Sequence, residues 1–219
     1  MHVGRLLAAA PRDRRPARAG LLLLGLVLYG VANAGLVLAG LGLDPWDVLH
    51  QGLSRSLGGG VGTWTDIVGV VVLLGWLPLR QRPGIGTVAN VVVIGLVVNA
   101  VLAVASPPHS LVVRVPMLLA GVLLNAVACG TYIGAGLGPG PRDGLMTGFA
   151  ARGRSVRVVR TSIEVVVLGS GALLGGTVGV GTVLYALAIG PLVHVTLPLL
   201  RLRAVGEPAA AGRRARTTR

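Results

Sequence analysis

Between Arg18 and Asp44 the chain runs 25 residues without a charged side chain, and from Val165 to Leu200 another 36 residues contain no Arg, Asp or Glu. A helix rises 1.5 Å per residue and the hydrocarbon core of a bilayer is about 30 Å thick, so about 20 apolar residues make one crossing. Only 12% of the residues are charged, against about 25% in an ordinary soluble domain. With 53% hydrophobic residues and a mean hydropathy of +0.79, the chain cannot cover a water-facing surface. A soluble globular enzyme is excluded, and an all-α membrane protein is the expected fold class, because helices satisfy their own backbone groups in lipid.

Six crossings are expected, at about 21–40, 62–79, 85–104, 111–135, 156–175 and 178–200. The fifth starts early because 36 residues are too many for one helix and too few for two with a turn, so it takes Arg157, Arg160 and Glu164 into its first turns. All 20 basic residues are Arg, against 7 acidic residues, for a formal charge of +13. With both termini inside, 18 of the 20 Arg fall on the cytoplasmic side and only Arg55 and Arg114 fall outside. That split follows the positive-inside rule and predicts a multi-pass protein of the cell membrane. The expected organisation is a basic cytoplasmic tail (1–19), a first three-helix repeat (20–105), a second (106–200) and a basic cytoplasmic tail (201–219).

The Arg-rich tails fit anionic lipid headgroups as partners, and a homo-oligomer is a further expectation. Nucleic acid is not expected as a partner, since the chain has one Phe, three Tyr and three Trp to stack on bases. Ala32-Asn33-Ala34 resembles a signal-peptide cleavage site, but the apolar run continues past it to Leu43, which suits a span. The single cysteine, Cys129, permits no disulfide or zinc cluster within one chain.

The two halves resemble one another. At an offset of 96, residues 36–53 match 132–149 at eight of 18 positions, including Gly40/Gly136, Pro45/Pro141 and Asp47/Asp143. At an offset of 95, Gly84-Ile85-Gly86-Thr87 falls on Gly179-Val180-Gly181-Thr182. Three crossings per half is an odd number, so the second half enters the membrane from the opposite side. The expected architecture is six transmembrane helices as a 3+3 inverted repeat, with short helices after the first span of each half.

Each short helix starts at a Pro with an Asp two residues on, where a carboxylate caps free N–H groups at the positive end of the helix dipole. In the first, Asp47, His50, Gln51 and Ser54 form a polar stripe at helical spacing opposite Trp46, Leu49, Leu53 and Leu57. That pattern fits an amphipathic helix on the outer interface; the alternative is a short helix that dips into the membrane and lines a polar path. Candidate substrate-binding residues are Asp47, Asp143, Glu164, Arg160, Asp66, Asn99 and His194, the polar groups at helix starts or within spans, where a charge is expensive without a partner or a task. Asn99 and His194 are repeat-equivalent, and close helix packing accounts for the G-x-G-T segments. No Ser-His-Asp order, metal-ligand cluster or paired-carboxylate arrangement stands out, so no enzyme activity, metal or cofactor is expected.

The segments G-L-G-x-x-P-W-D-V-L-H-Q-G-L, P-G-I-G-T-x-x-N, G-P-R-D-G-L-M, V-R-x-x-R-T-x-I-E-V and G-x-V-G-x-G-T-x-x-x-A-x-x-I-G-P resemble, in order, the YczE/YitT group of bacterial integral membrane proteins, and its YczE branch most. The resemblance covers about residues 40–191 and implies a multi-pass plasma-membrane protein without supplying a substrate. The soluble C-terminal domain of the YitT branch is not expected, since an Arg-rich tail follows Leu202. Functionally, the expectation is a small transporter or channel for an unidentified small solute or ion; the alternative is a non-transporting membrane scaffold or accessory protein.

Overall fold

The computed structural model describes residues 14–153 and 155–202, so the greater part of both Arg-rich tails lies outside the described residues. Every regular element among the described residues is helical. Five stretches are long and apolar enough to cross a bilayer: Arg15–Ala39 (α1), Val61–Leu79, Ile85–Val104 (α5), Leu111–Gly134 (α6) and Val180–Leu200 (α9). The second is broken at Gly75 into Val61–Leu74 (α3) and Trp76–Leu79 (α4). Two short helices, Pro45–Leu57 (α2) and Pro141–Ala150 (α7), follow α1 and α6. The crossing expected at 156–175 is the helix Val156–Leu173 (α8), which is not one of the five. Its early turns carry Arg157, Arg160 and Glu164, which lower its apolar character.

The exterior is largely apolar. Leu173, Val104, Val112, Val180, Leu187 and Ile85 are each more than two-thirds exposed, whereas Asp44, Asp47, His50, Gln51, Asn33, Asn125, Thr87 and Thr182 are buried. That inversion of the soluble pattern is what a lipid solvent selects.

At the centre, α1 packs along α6. The pair is antiparallel, and each helix starts with an Arg that closes the end of the other. Arg18 donates from Nη1 to the Ala135 carbonyl (2.9 Å), and Arg114, 96 residues on, donates from Nε to the Ala39 carbonyl (2.6 Å) and from Nη2 to Gly40 (2.8 Å). Arg18 is therefore buried at a helix end and not spread over headgroups with the tail. Inside the seam, Asn125 donates to Asn33 (2.6 Å) and Tyr185 donates to Asn125 (2.9 Å).

The helices of the two halves begin at matching positions: Arg15 and Leu111, Pro45 and Pro141, Val61 and Val156, Ile85 and Val180. The chain turns alike after each central helix. Gly40 and Gly136 have φ of 61° and 69°, and Gly42 and Gly138 have φ of 118° and 132°, a region that glycine enters without strain. The returning loops then meet the starts of α9 and α5. Gly181 N–H donates to the Leu41 carbonyl (2.8 Å) and Gly86 N–H to Leu137 (3.0 Å). Thr182 and Thr87 each accept from the N–H three residues earlier, at 3.2 Å. The G-x-G-T segments thus do pack backbone against backbone.

The halves differ in how α3 and α8 pack. α3 lies along α5, whereas its counterpart α8 has no comparable packing on α9 and instead lies along α2. A space is left on the α8–α9 side.

Candidate functional site

α1 has 25 residues, about 37 Å of helix, and its C-terminus lies at the opposite end of the central pair from that of α6. The segments that follow nevertheless meet: Arg142 at the start of α7 lies 3.7 Å from the Asp44 carboxylate before α2, and its guanidinium stacks 4.8 Å over the Trp46 ring. One side-chain pair cannot bridge 37 Å, so both loops run back from opposite ends of the bundle towards its middle. Trp46 and Arg142 hold the same position in the two halves.

Local chemistry explains why α2 starts where it does. Asp44 is the N-cap, its Oδ1 accepting from the N–H groups of Trp46 (2.8 Å) and Asp47 (3.2 Å), and Pro45 fills the first turn without losing a hydrogen bond. The α7 start has Gly140 in place of Asp44 and is held differently: the Trp76 indole N–H donates to the Pro141 carbonyl (2.9 Å).

A cavity of about 230 Å³ opens where these two helix starts meet, with room for several waters or a small solute. Its charged lining is Asp44, Arg142, Asp143, Arg160 and Glu164. The three tyrosines of the chain, Tyr29, Tyr132 and Tyr185, also face it, together with Asn90. Arg160 Nε donates to Glu164 Oε1 at 2.8 Å on the half-open α8 side, and Tyr132 donates to Asp143 Oδ2 at 3.4 Å. Burial pushes the Asp44 carboxyl up to about 7, with Asp47 adding to the shift and Arg142 opposing it. Burial likewise raises Asp47 and Asp143, against the pull of nearby arginines.

Of the residues singled out from sequence, the cavity gathers Asp143, Arg160 and Glu164. Asp47 lies directly behind it on α2, buried, with Oδ1 3.0 Å from His50 Nδ1. The polar stripe of α2 thus faces the protein interior, with Gln51 accepting from the Thr177 N–H (2.7 Å), and not water at an interface. Three candidates stand apart. Asp66 faces Gly95 across the α3–α5 seam. Asn99 accepts from the Gly62 N–H (2.9 Å) and donates to Thr63 (3.0 Å), which makes it a tie at the start of α3. His194 is exposed on α9. Sequence reading missed Asp44, Arg142 and the tyrosines. The alignment of Arg142 with Trp46, and polar-tipped tyrosines inside apolar spans, were the available signals.

The family model of DUF6198, a family of unknown function, matches residues 16–198. An uncharacterized protein of Haemophilus influenzae is 40% identical over 181 residues, 82% of this chain and 83% of the relative. The uncharacterized membrane protein YczE of Bacillus subtilis is 34% identical over 161 residues, 72% of this chain and 74% of the relative. The uncharacterized protein YyaS of Bacillus subtilis is 24% identical over 184 residues, 81% and 90% of the two chains. No solved structure matches significantly.

Proposed function

From a chain that belongs to the DUF6198 family and is similar to the membrane protein YczE, we propose a small transporter or channel of the cell membrane, passing a polar solute or ion through the central cavity. The observation that carries this reading is the cluster of five charged side chains around a space in the middle of an apolar-surfaced bundle. Charged groups at membrane depth are expensive and mark solute or ion pathways unless they serve only one another. Here Arg142, Asp143, Arg160 and Glu164 all border open space.

The proposed architecture is a 3+3 inverted repeat with α8 as the fifth of six spans and both termini cytoplasmic. Matching helix starts, matching Arg closures at opposite ends of α1 and α6, and the 18 to 2 division of Arg support it. The unequal α3–α5 and α8–α9 seams fit a rocking motion in which the two halves exchange roles, with access on the α8–α9 side in the arrangement described. The reading is of a conduit and not of an enzyme.

The test is permeation. Proteoliposomes would be challenged in stopped-flow light scattering with small amines, small carboxylates and neutral polyols in turn. One class is expected to equilibrate faster than in empty vesicles, and Glu164→Gln is expected to abolish the increment while leaving membrane insertion intact. Unchanged flux in the variant would remove Glu164 from the mechanism. Wild-type vesicles no more permeable than empty ones to any class would favour the scaffold.

A further inference from the structure

We propose that Asp44, on the cavity wall, and Asp47 behind it, tied to His50, form a buried proton-binding site whose occupancy decides whether Arg142 is paired with Asp44 or free to hold a solute in the cavity. The three residues lie at successive i, i+3 positions along one side of α2 and its cap, at 3%, 1% and 1% exposure. Each leaves a buried polar atom without a partner: Asp44 Oδ2, Asp47 Oδ2 and His50 Nε2.

Thr65 Oγ1 donates to the Val61 carbonyl (3.1 Å) and lies 3.1 Å from His50 Nδ1. The same Nδ1 lies 3.0 Å from Asp47 Oδ1, a contact that holds with the proton on either atom. Burial and the Arg142 guanidinium push the imidazole down to about 3, so His50 stays neutral and the proton belongs to the carboxyls.

Charge balance requires a proton there. Two buried carboxylates face one guanidinium, Arg142 of α7, and an uncompensated negative charge away from water is costly. The other charged groups on packed elements are occupied or turned away: Asp143 of α7 accepts from Tyr132 and faces Arg160, Arg160 and Glu164 of α8 pair at the cavity rim, Asp66 of α3 faces Gly95, and Arg55 at the far end of α2 donates to the Gly175 carbonyl. Tyr29 of α1 and Tyr185 of α9 face the cavity as neutral phenols. The neighbouring carboxyls share their protons as a pair. With the proton on Asp44, Arg142 loses its ion-pair partner; with the proton gone, the pair closes. The second half carries Gly140, Asp143 and Met146 at the corresponding positions, so the molecule has one such site and not two. As a proton site this stands alone; as a coupling device it rests on the transport reading above.

The test is infrared difference spectroscopy of the full chain in lipid vesicles, stepped in pH. Wild type is expected to show a carboxylic acid C=O band that vanishes as pH rises through about 7, the value for Asp44. Asp44→Asn should remove that band, and Asp47→Asn should move its loss to lower pH, since the negative neighbour that raises it is gone. A wild type with no band titrating near neutrality, or a band that persists in folded Asp44→Asn, overturns the site. If Asp44→Asn does not fold, an unshifted band in Asp47→Asn overturns it. Titration intact in vesicles that move no solute under a pH gradient overturns the coupling alone.

Discussion

Trp76→Ala is expected to lower the unfolding midpoint of the detergent-solubilised protein more than truncation of either other tryptophan. The side chain is 1% exposed, its ring lies against Gly144 with no space for a Cβ there, and its indole N–H holds the Pro141 carbonyl at the start of α7. Removing a buried aromatic costs about 3–5 kcal/mol through the cavity it leaves. In a membrane protein van der Waals packing of this kind replaces the hydrophobic drive between helices. Trp64 is half-buried and ties only its own helix start, donating to Gly58, so Trp64→Ala serves as the comparison. Equal midpoints for the two variants would mean that Trp76 does not anchor α7.

Arg142→Leu is expected to abolish solute movement while leaving insertion in place. The substitution removes the cation that stacks over Trp46 and lies 3.7 Å from Asp44 Oδ1, and leaves the Asp44 carboxyl, whose Oδ2 has no partner, without a counter-charge. Removing the guanidinium leaves the buried Asp44 carboxyl unpaired and takes the cation from the cavity wall. Arg142→Lys is expected to fail too, because an ammonium has neither the planar face for the indole nor the forked donors for the carboxylate. Initial flux into proteoliposomes, normalised to inserted protein, is the measurement. Wild-type flux in Arg142→Lys would show that only the charge matters and that the stacked geometry is incidental.

The spans were legible because hydrophobic length is a one-dimensional property: 85–104 is the observed α5, and 111–135 and 178–200 lie within two residues of α6 and α9. α1 begins at Arg15, six residues earlier than its apolar run, because Pro16 fits a first turn and Arg18 finds carbonyls to bond. The break at Gly75 was hidden, since a helix end inside an apolar stretch leaves no polar mark. The repeat led directly to Asp47 and Asp143, and depth within a span led to Arg160 and Glu164. Arg142 and Asp44 escaped because their importance comes from two loops returning from opposite ends. Charge counting assigns an Arg after a span to a solvated loop. The stripe on α2 was legible as a stripe, but its surroundings were left between an outer interface and an inward-dipping helix, because periodicity reveals that two faces differ without revealing which one faces the protein.

The central claim is that the two halves insert in opposite directions around the cavity, and sidedness tests it most directly. In a Cys129→Ala background, single cysteines would be placed at Ser56, at the end of α2, and at Ser155, before α8, both exposed. Intact cells would then be treated with a membrane-impermeant thiol reagent, with permeabilised cells as the control for reactivity. The account predicts labelling at Ser56 and protection at Ser155 until the cells are opened; both sites labelled in intact cells, or both protected until permeabilisation, would contradict the inverted repeat and the alternating pathway built on it.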